Sequence, residues 1–242
     1  MIGFFKHRSF LCGASVIGPS HIKNNIVNQD SFLLVKKRKY ILCVVSDGMG
    51  SKKFADVGSK NACLAVKKEI GNFVKNKQNP LSMKQLFSNI IETWNQLNNP
   101  HESRNCSATC LFVFATKNKI LAARLGDGMI CLLGKNDAEN VSLTENKDSN
   151  FSNSTQCLSD SYAADEFNYS FYDRKLFRGI VLSSDGISSD MEDGKEILFS
   201  EDLFNEVKKL RFWKRKNFLQ SMMENWPVLH HTDDKTLAVG GL

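Results

Sequence analysis

No apolar run in the 242-residue chain approaches the roughly 20 residues that a bilayer-spanning helix needs, so no membrane span is expected. The opening segment places basic residues ahead of an apolar patch, as a signal peptide does. That patch, residues 10–17, is short for such a segment and runs straight into patterned sequence, so it reads as a first β-strand. Prolines number only four, and there is no Pro/Gly-rich linker, internal repeat or low-complexity tract, so residues 1–242 are expected to form one domain. The seven cysteines are odd in number and scattered, and Cys106 and Cys110 are four apart, which excludes a CxxC metal or redox pair. Cys43, Cys63, Cys110 and Cys131 lie in apolar segments and read as small core hydrophobes, as does Cys106 near Cys110, which fits a reducing cytoplasm. No clustered His/Cys set favours zinc, and no Cys or His nucleophile motif is evident. The neighbouring His230 and His231 read as solvated loop residues. The net charge of +6 is too small for a nucleic-acid groove. Basic residues gather at 36–39 and 211–216, best read as solvated surface, next as an attraction for acidic phosphoproteins, and last as a nucleic-acid patch.

An apolar share of 42% with 24% charged residues is that of an ordinary globular chain with one sizeable core. Two helices are expected in succession after residue 54. Ala62, Val66, Ile70, Phe73 and Val74 form one stripe; Met83, Leu86, Phe87, Ile90, Ile91, Trp94 and Leu97 form the next. Ser82 with Gln85 three residues on reads as a capping box. Two more helices are expected near 201–210 and 213–226, the latter stopped by Pro227, with Trp213 and Trp226 as core anchors. Strands are expected at 31–35, 40–45, 108–116, 119–125, 129–133, 167–173, 179–183 and 236–239. The tight Lys117–Asn118 connection implies antiparallel pairing, and the unbroken apolar run at 40–45 implies burial on both faces. Paired helices between blocks of strands point to stacked sheets covered by helices.

Three places repeat one pattern, an apolar strand followed by small residues and Asp-Gly. They are Val44–Val45–Ser46–Asp47–Gly48, Leu125–Gly126–Asp127–Gly128 and Leu182–Ser183–Ser184–Asp185–Gly186. Asp233–Asp234 precedes the last strand and Asp30 opens an early one. Asp-Gly is also the favoured hairpin dipeptide, and for Asp127 both readings stay open. Asp47 and Asp185 fit a hairpin poorly, because neither leads directly into a strand. Carboxylates converging at one sheet edge repel unless cations neutralise them, and all-oxygen ligands suit Mg²⁺ or Mn²⁺. Glycine after each aspartate allows close backbone approach to an ion.

These segments, in this order, resemble the type 2C metal-dependent protein phosphatases, in their bacterial-type subgroup. Gly18–Pro19–Ser20–His21 with Asn28–Gln29–Asp30–Ser31–Phe32 resembles the first motif, and Asp47–Gly48–Met49–Gly50 the DGxG motif. Cys106–Ser107–Ala108–Thr109 resembles the small-residue strand start, and Leu125–Gly126–Asp127 the GD motif. Leu182–Ser183–Ser184–Asp185–Gly186 resembles the SDG motif, Asp233–Asp234–Lys235–Thr236 the closing motif, and residues 150–155 a segment of the subgroup. The resemblance implies an α+β fold, an α-β-β-α sandwich of two antiparallel sheets flanked by helices. It implies two Mg²⁺ or Mn²⁺ ions bridged by water or hydroxide, with a weaker third ion. Asp47 would bridge both ions, the Gly48 carbonyl would bind the second, and Asp185 with Asp233 would hold the first. Asp127 with Asp185 would hold the third, and Asp30 would orient water. The substrate would be a phosphoserine or phosphothreonine protein, opposite a Ser/Thr kinase, with no phosphoenzyme formed.

The chain departs from the family pattern at three points. Where relatives carry a phosphate-gripping arginine, it reads Lys23–Asn24–Asn25–Ile26–Val27, so His21 or Lys23 is the candidate replacement. Met49 stands where some relatives have a histidine, and Ser188–Ser189–Asp190 replaces a Trp-Asp pair. Asp233 and Asp234 cannot be ranked as ligands from their order alone. A cytoplasmic, monomeric phosphatase is the expectation. The competing readings are a fold-retaining binding module without turnover, which the full carboxylate set argues against, and a nuclease, which the charge does not favour.

Overall fold

The computed structural model describes residues 9–76, 82–144, 156–159, 163–227 and 231–242. Two five-stranded antiparallel sheets form its centre. The first runs β2 (Asp30–Lys36), β3 (Ile41–Asp47), β4 (Cys110–Ala115), β5 (Lys119–Leu125) and β8 (Asn168–Asp173) in spatial order. The second runs β1 (Phe10–Val16), β10 (Lys235–Gly241), β9 (Phe177–Ser183), β6 (Met129–Gly134) and β7 (Val141–Leu143). The α-β-β-α sandwich expected from the family resemblance is the fold observed.

β3 shows how the pattern builds the layers. All of Ile41, Leu42, Cys43, Val44 and Val45 are buried, and the two-residue strand period sends alternate side chains to opposite faces. Ile41, Cys43 and Val45 join Leu111, Val113 and Leu182 in the core between the sheets. Tyr40, Leu42 and Val44 face the other way, against the stripes of α2 (Ala55–Lys75) and α3 (Met83–Asn98). Each fully buried aliphatic side chain here stabilises the fold by about 1.5–3 kcal/mol. The second sheet is covered by α5 (Glu196–Lys209) and α6 (Phe212–Glu224), through Leu203, Phe204, Val207, Leu219 and Met223.

Ser82 caps α3 by accepting from the Gln85 backbone at 3.1 Å, but the Gln85 side chain turns to Asn89, so only half of the expected capping box forms. α5 begins five residues earlier than the 201–210 reading, because Ile197 and Phe199 also pack on the core. Trp213 is 55% exposed rather than a core anchor, since α6 packs on the core through Phe218, Leu219, Met222 and Met223, and Trp213 meets only Phe212 and Arg211 among the ring contacts described. Trp226 does pack inward, and its indole N–H donates to Asp190 at 2.7 Å. All seven cysteines are unpaired and six of them are buried. No helix among the described residues is long and apolar enough to cross a membrane.

Candidate metal centre

Strand register brings the acidic segments to one rim of the sandwich. Asp30 opens β2 directly opposite Asp47, the last residue of β3. In the second sheet, Ser183 ends β9 opposite both Met129 at the start of β6 and Leu237 near the start of β10. A cleft of about 190 Å³ opens on this rim, lined by residues from both sheets: His21, Gln29, Asp47, Asp127, Asp185 and Asp233, with Gly48, Met49 and Thr109 beside them. One carboxylate oxygen each from Asp47, Asp127 and Asp185 lie within 4.8 Å of one another.

Each acid is held by local structure. The Asp47 backbone N–H donates to Thr109 Oγ1 at 2.8 Å and its carbonyl accepts from the Thr109 N–H at 2.7 Å, locking the end of β3 to the start of β4. Asp127 stands between Gly126 (φ 95°) and Gly128 (φ 98°), left-handed conformations that glycine adopts without strain. This Asp-Gly is no hairpin turn, because it carries the chain from β5 in one sheet to β6 in the other. Asp185 opens the short helix α4 (Asp185–Ser188) after β9, and its Oδ1 is buried without a hydrogen-bond partner. Gly48 touches the start of α2 so closely that a Cβ would lie 2.3 Å from the Ala55 carbonyl oxygen.

The structure separates the two adjacent C-terminal acids. Asp233 lines the cleft. Asp234 is 2% exposed and points away: its carboxylate accepts from the Gly18 and Gln29 backbone N–H groups, both at 2.6 Å, and from His21 Nδ1 at 2.9 Å. It thereby fastens α1 (Pro19–Lys23) and the approach to β2 onto the start of β10. His21 lines the cleft from this clamped helix, whereas Lys23 is exposed and does not reach it.

Asp30 lies behind the cleft, 7% exposed, where the Ser184 hydroxyl donates to its Oδ2 at 2.7 Å. Burial pushes its carboxyl up to about 7, against the hydrogen bond from Ser184. Burial, then the charges of Asp30 and Asp185, drives Asp47 well above the ordinary carboxylate range. Among the described residues, no lysine or arginine lines the cleft. A cluster of carboxylates with an orphaned buried oxygen fits hard divalent cations, which oxygen donors bind best.

Several supporting residues went unread in the sequence. Ser184 Oγ also accepts from the Thr236 N–H at 3.0 Å, so one hydroxyl joins Asp30 to β10. Gln29 lines the cleft with its buried Oε1 unpartnered. Both stand beside motif aspartates, which was the available signal. His231 corrects its solvated reading: its side chain is 9% exposed and Nδ1 lies 2.5 Å from Asp190. His230 and the 150–155 segment lie outside the described residues.

Residues 17–226 match the protein phosphatase 2C family. The chain belongs to that family. It is therefore a metal-dependent protein serine/threonine phosphatase. Several solved structures share its fold. The serine/threonine phosphatase Stp1 from Staphylococcus aureus superimposes with a TM-score of 0.67 at 14% identity, covering 96% of this chain and 94% of that one. The serine-threonine phosphatase 2C from Toxoplasma gondii gives 0.67 at 10% identity, with 99% and 97% covered. RsbX, solved in complex with magnesium, gives 0.57 at 16% identity, with 97% and 95% covered. No curated protein matches the chain by sequence.

Proposed function

We propose that Asp47, Asp127, Asp185, Asp233 and the Gly48 carbonyl hold two Mg²⁺ or Mn²⁺ ions, with a weaker third, and that phosphoserine and phosphothreonine esters are hydrolysed in this cleft. The observation that carries the reading is the approach of the Asp47, Asp127 and Asp185 oxygens to within 4.8 Å of one another in a cleft lined by residues of four separate acidic motifs. The magnesium complex of RsbX supports the choice of ion. Bound there, the ions would supply charge to offset the phosphoryl oxygens and to acidify water.

The chain's own groups do the rest. Asp47 sits between Asp30 and Asp185 and offers the shared carboxylate of the set. Asp30, held by Ser184, orients water at the back of the cleft. His21 faces the substrate phosphate in place of the family's arginine, with its ring fixed by Asp234. No cysteine lines the cleft, so attack by water rather than by a thiol is the consistent chemistry. The enzyme would act as a monomer opposite a Ser/Thr kinase, in a reducing cytoplasm that suits its unpaired thiols.

The test is phosphate release from phosphoserine, phosphothreonine and phosphotyrosine peptides with Mg²⁺ or Mn²⁺ present. Hydrolysis of the first two is expected. Absence of release from both would overturn the reading.

A further inference from the structure

A second cleft is larger than the acidic one. A concavity of about 780 Å³ lies at the opposite end of β2 and β3, where their hairpin meets the C-terminal half of α2. Lys37, Arg38 and Lys39 enter it from the hairpin, and Lys67, Lys68 and Lys75 from the helix. Among the described residues, no aspartate or glutamate lines it and none of the six cations forms an ion pair. Its floor is apolar, with Val35, Val74 and Leu97 among the lining residues and Leu97 40% exposed.

Scattered surface lysines are ordinarily just solvated. Here two separate elements aim six like charges into one concavity, where they repel one another and an anion relieves the repulsion. The apolar floor adds a second requirement, so the fitting occupant carries both carboxylates and aliphatic side chains. Nucleic acid fits less well, because stacking needs exposed aromatic faces. The one aromatic lining residue among those described, Tyr40, is 9% exposed and packs on Phe114.

We propose that this cleft docks an acidic, aliphatic-bearing segment of the phosphoprotein whose phosphoresidue is hydrolysed at the metal centre. The proposal rests on the phosphatase reading above. The geometry suits a tethered substrate. β2 spans seven residues from Asp30 at the acidic rim to Lys36 beside the basic cleft. At about 3.3 Å per residue that separation is roughly 20 Å. A flexible linker of about 10 residues has a root-mean-square reach of roughly 16–19 Å, close to that separation. Docking would then raise the local concentration of the phosphoresidue without any new contact at the metal centre.

The test uses three probes. One is a phosphothreonine peptide; the second is the same peptide joined by a Gly/Ser linker of about 10 residues to a Glu/Leu-rich tail; the third is the fluorescent tail alone. The wild type is expected to turn over the tailed peptide with kcat/KM about 10-fold above the plain one, through KM, and to lose that gain in high salt. Lys67→Glu/Lys68→Glu is expected to bring the ratio to about one, weaken tail anisotropy binding at least ~10-fold, and leave plain-peptide kinetics unchanged. Lys67→Gln/Lys68→Gln should fall between, which guards against a folding defect in the reversed variant. Absence of tail binding by wild type, or binding that survives charge reversal, overturns the proposal. So does tighter binding of a single-stranded oligonucleotide of equal charge. If no phosphopeptide is hydrolysed, the phosphatase reading fails, and tail anisotropy still decides the cleft separately.

Discussion

Replacing Asp234 and Asp233 one at a time should separate structure from chemistry at neighbouring positions. The Asp234 carboxylate, 2% exposed, accepts two backbone N–H groups at 2.6 Å and His21 Nδ1 at 2.9 Å. Asp234→Ala leaves the Gly18 and Gln29 donors orphaned in a buried site. Each hydrogen bond to a charged acceptor contributes about 1.5–3 kcal/mol, and the losses overlap, so a total of about 3–5 kcal/mol is expected. Asp233 is exposed on the cleft side, and Asp233→Ala should cost less than about 0.5 kcal/mol of metal-free stability. Urea unfolding of the metal-free proteins measures the first difference, and Mg²⁺ titration of activity the second. The expected pattern is a large drop in urea midpoint for Asp234→Ala, and a raised Mg²⁺ requirement with a wild-type midpoint for Asp233→Ala. The opposite assignment of the two effects would refute the reasoning.

Further outcomes follow from the same geometry. Asp30 is raised from 3.8 in the unfolded chain to about 7, so the folded protein holds the extra proton between those values. Stability from this group is therefore present at low pH and lost as pH rises through about 7, by up to about 4 kcal/mol. Metal-free wild type should lose melting temperature from pH 5 to 7.5 more steeply than Asp30→Asn; parallel profiles would contradict this. His21→Ala should lower kcat/KM for a phosphothreonine peptide by about 10- to 150-fold with metal affinity nearly unchanged. A lower melting temperature with normal turnover would instead make His21 only a fastening for its loop. Gly48→Ala places a Cβ 2.3 Å from the Ala55 carbonyl oxygen and should destabilise by about 3 kcal/mol in urea unfolding, an unchanged midpoint being the contrary result.

The strands were legible because their signal is local. β5 was read to the residue, and the six buried residues from Tyr40 to Val45 announced two covered faces. The approach of Asp47, Asp127 and Asp185 was legible too, since each ends an apolar strand or follows one within two residues. What stayed hidden depends on pairing between distant segments. Which of Asp233 and Asp234 faces the cleft is decided by Gly18 and Gln29, more than 200 residues earlier. The burial of His231 depends on Asp190, and the exposure of Trp213 on which residues of α6 meet the core. β7 was missed because three partly exposed residues at a sheet edge give little alternation to read. α1 was missed because its five residues, Pro19–Lys23, form less than two turns, although proline at a first helical position was a signal available there.

The central claim is that the acidic rim is a metal centre that hydrolyses phosphoserine and phosphothreonine. Its most direct test is a divalent-cation titration of phosphothreonine-peptide hydrolysis by chelator-stripped enzyme, run in parallel on wild type, Asp47→Asn and Asp185→Asn. Wild type should be silent without ions and rise to saturation with Mg²⁺ or Mn²⁺. Each variant should stay folded and lose at least ~10³ in kcat, equivalent to roughly 4 kcal/mol of transition-state stabilisation. Full turnover in chelator, or near-normal rates in either variant, would contradict the account.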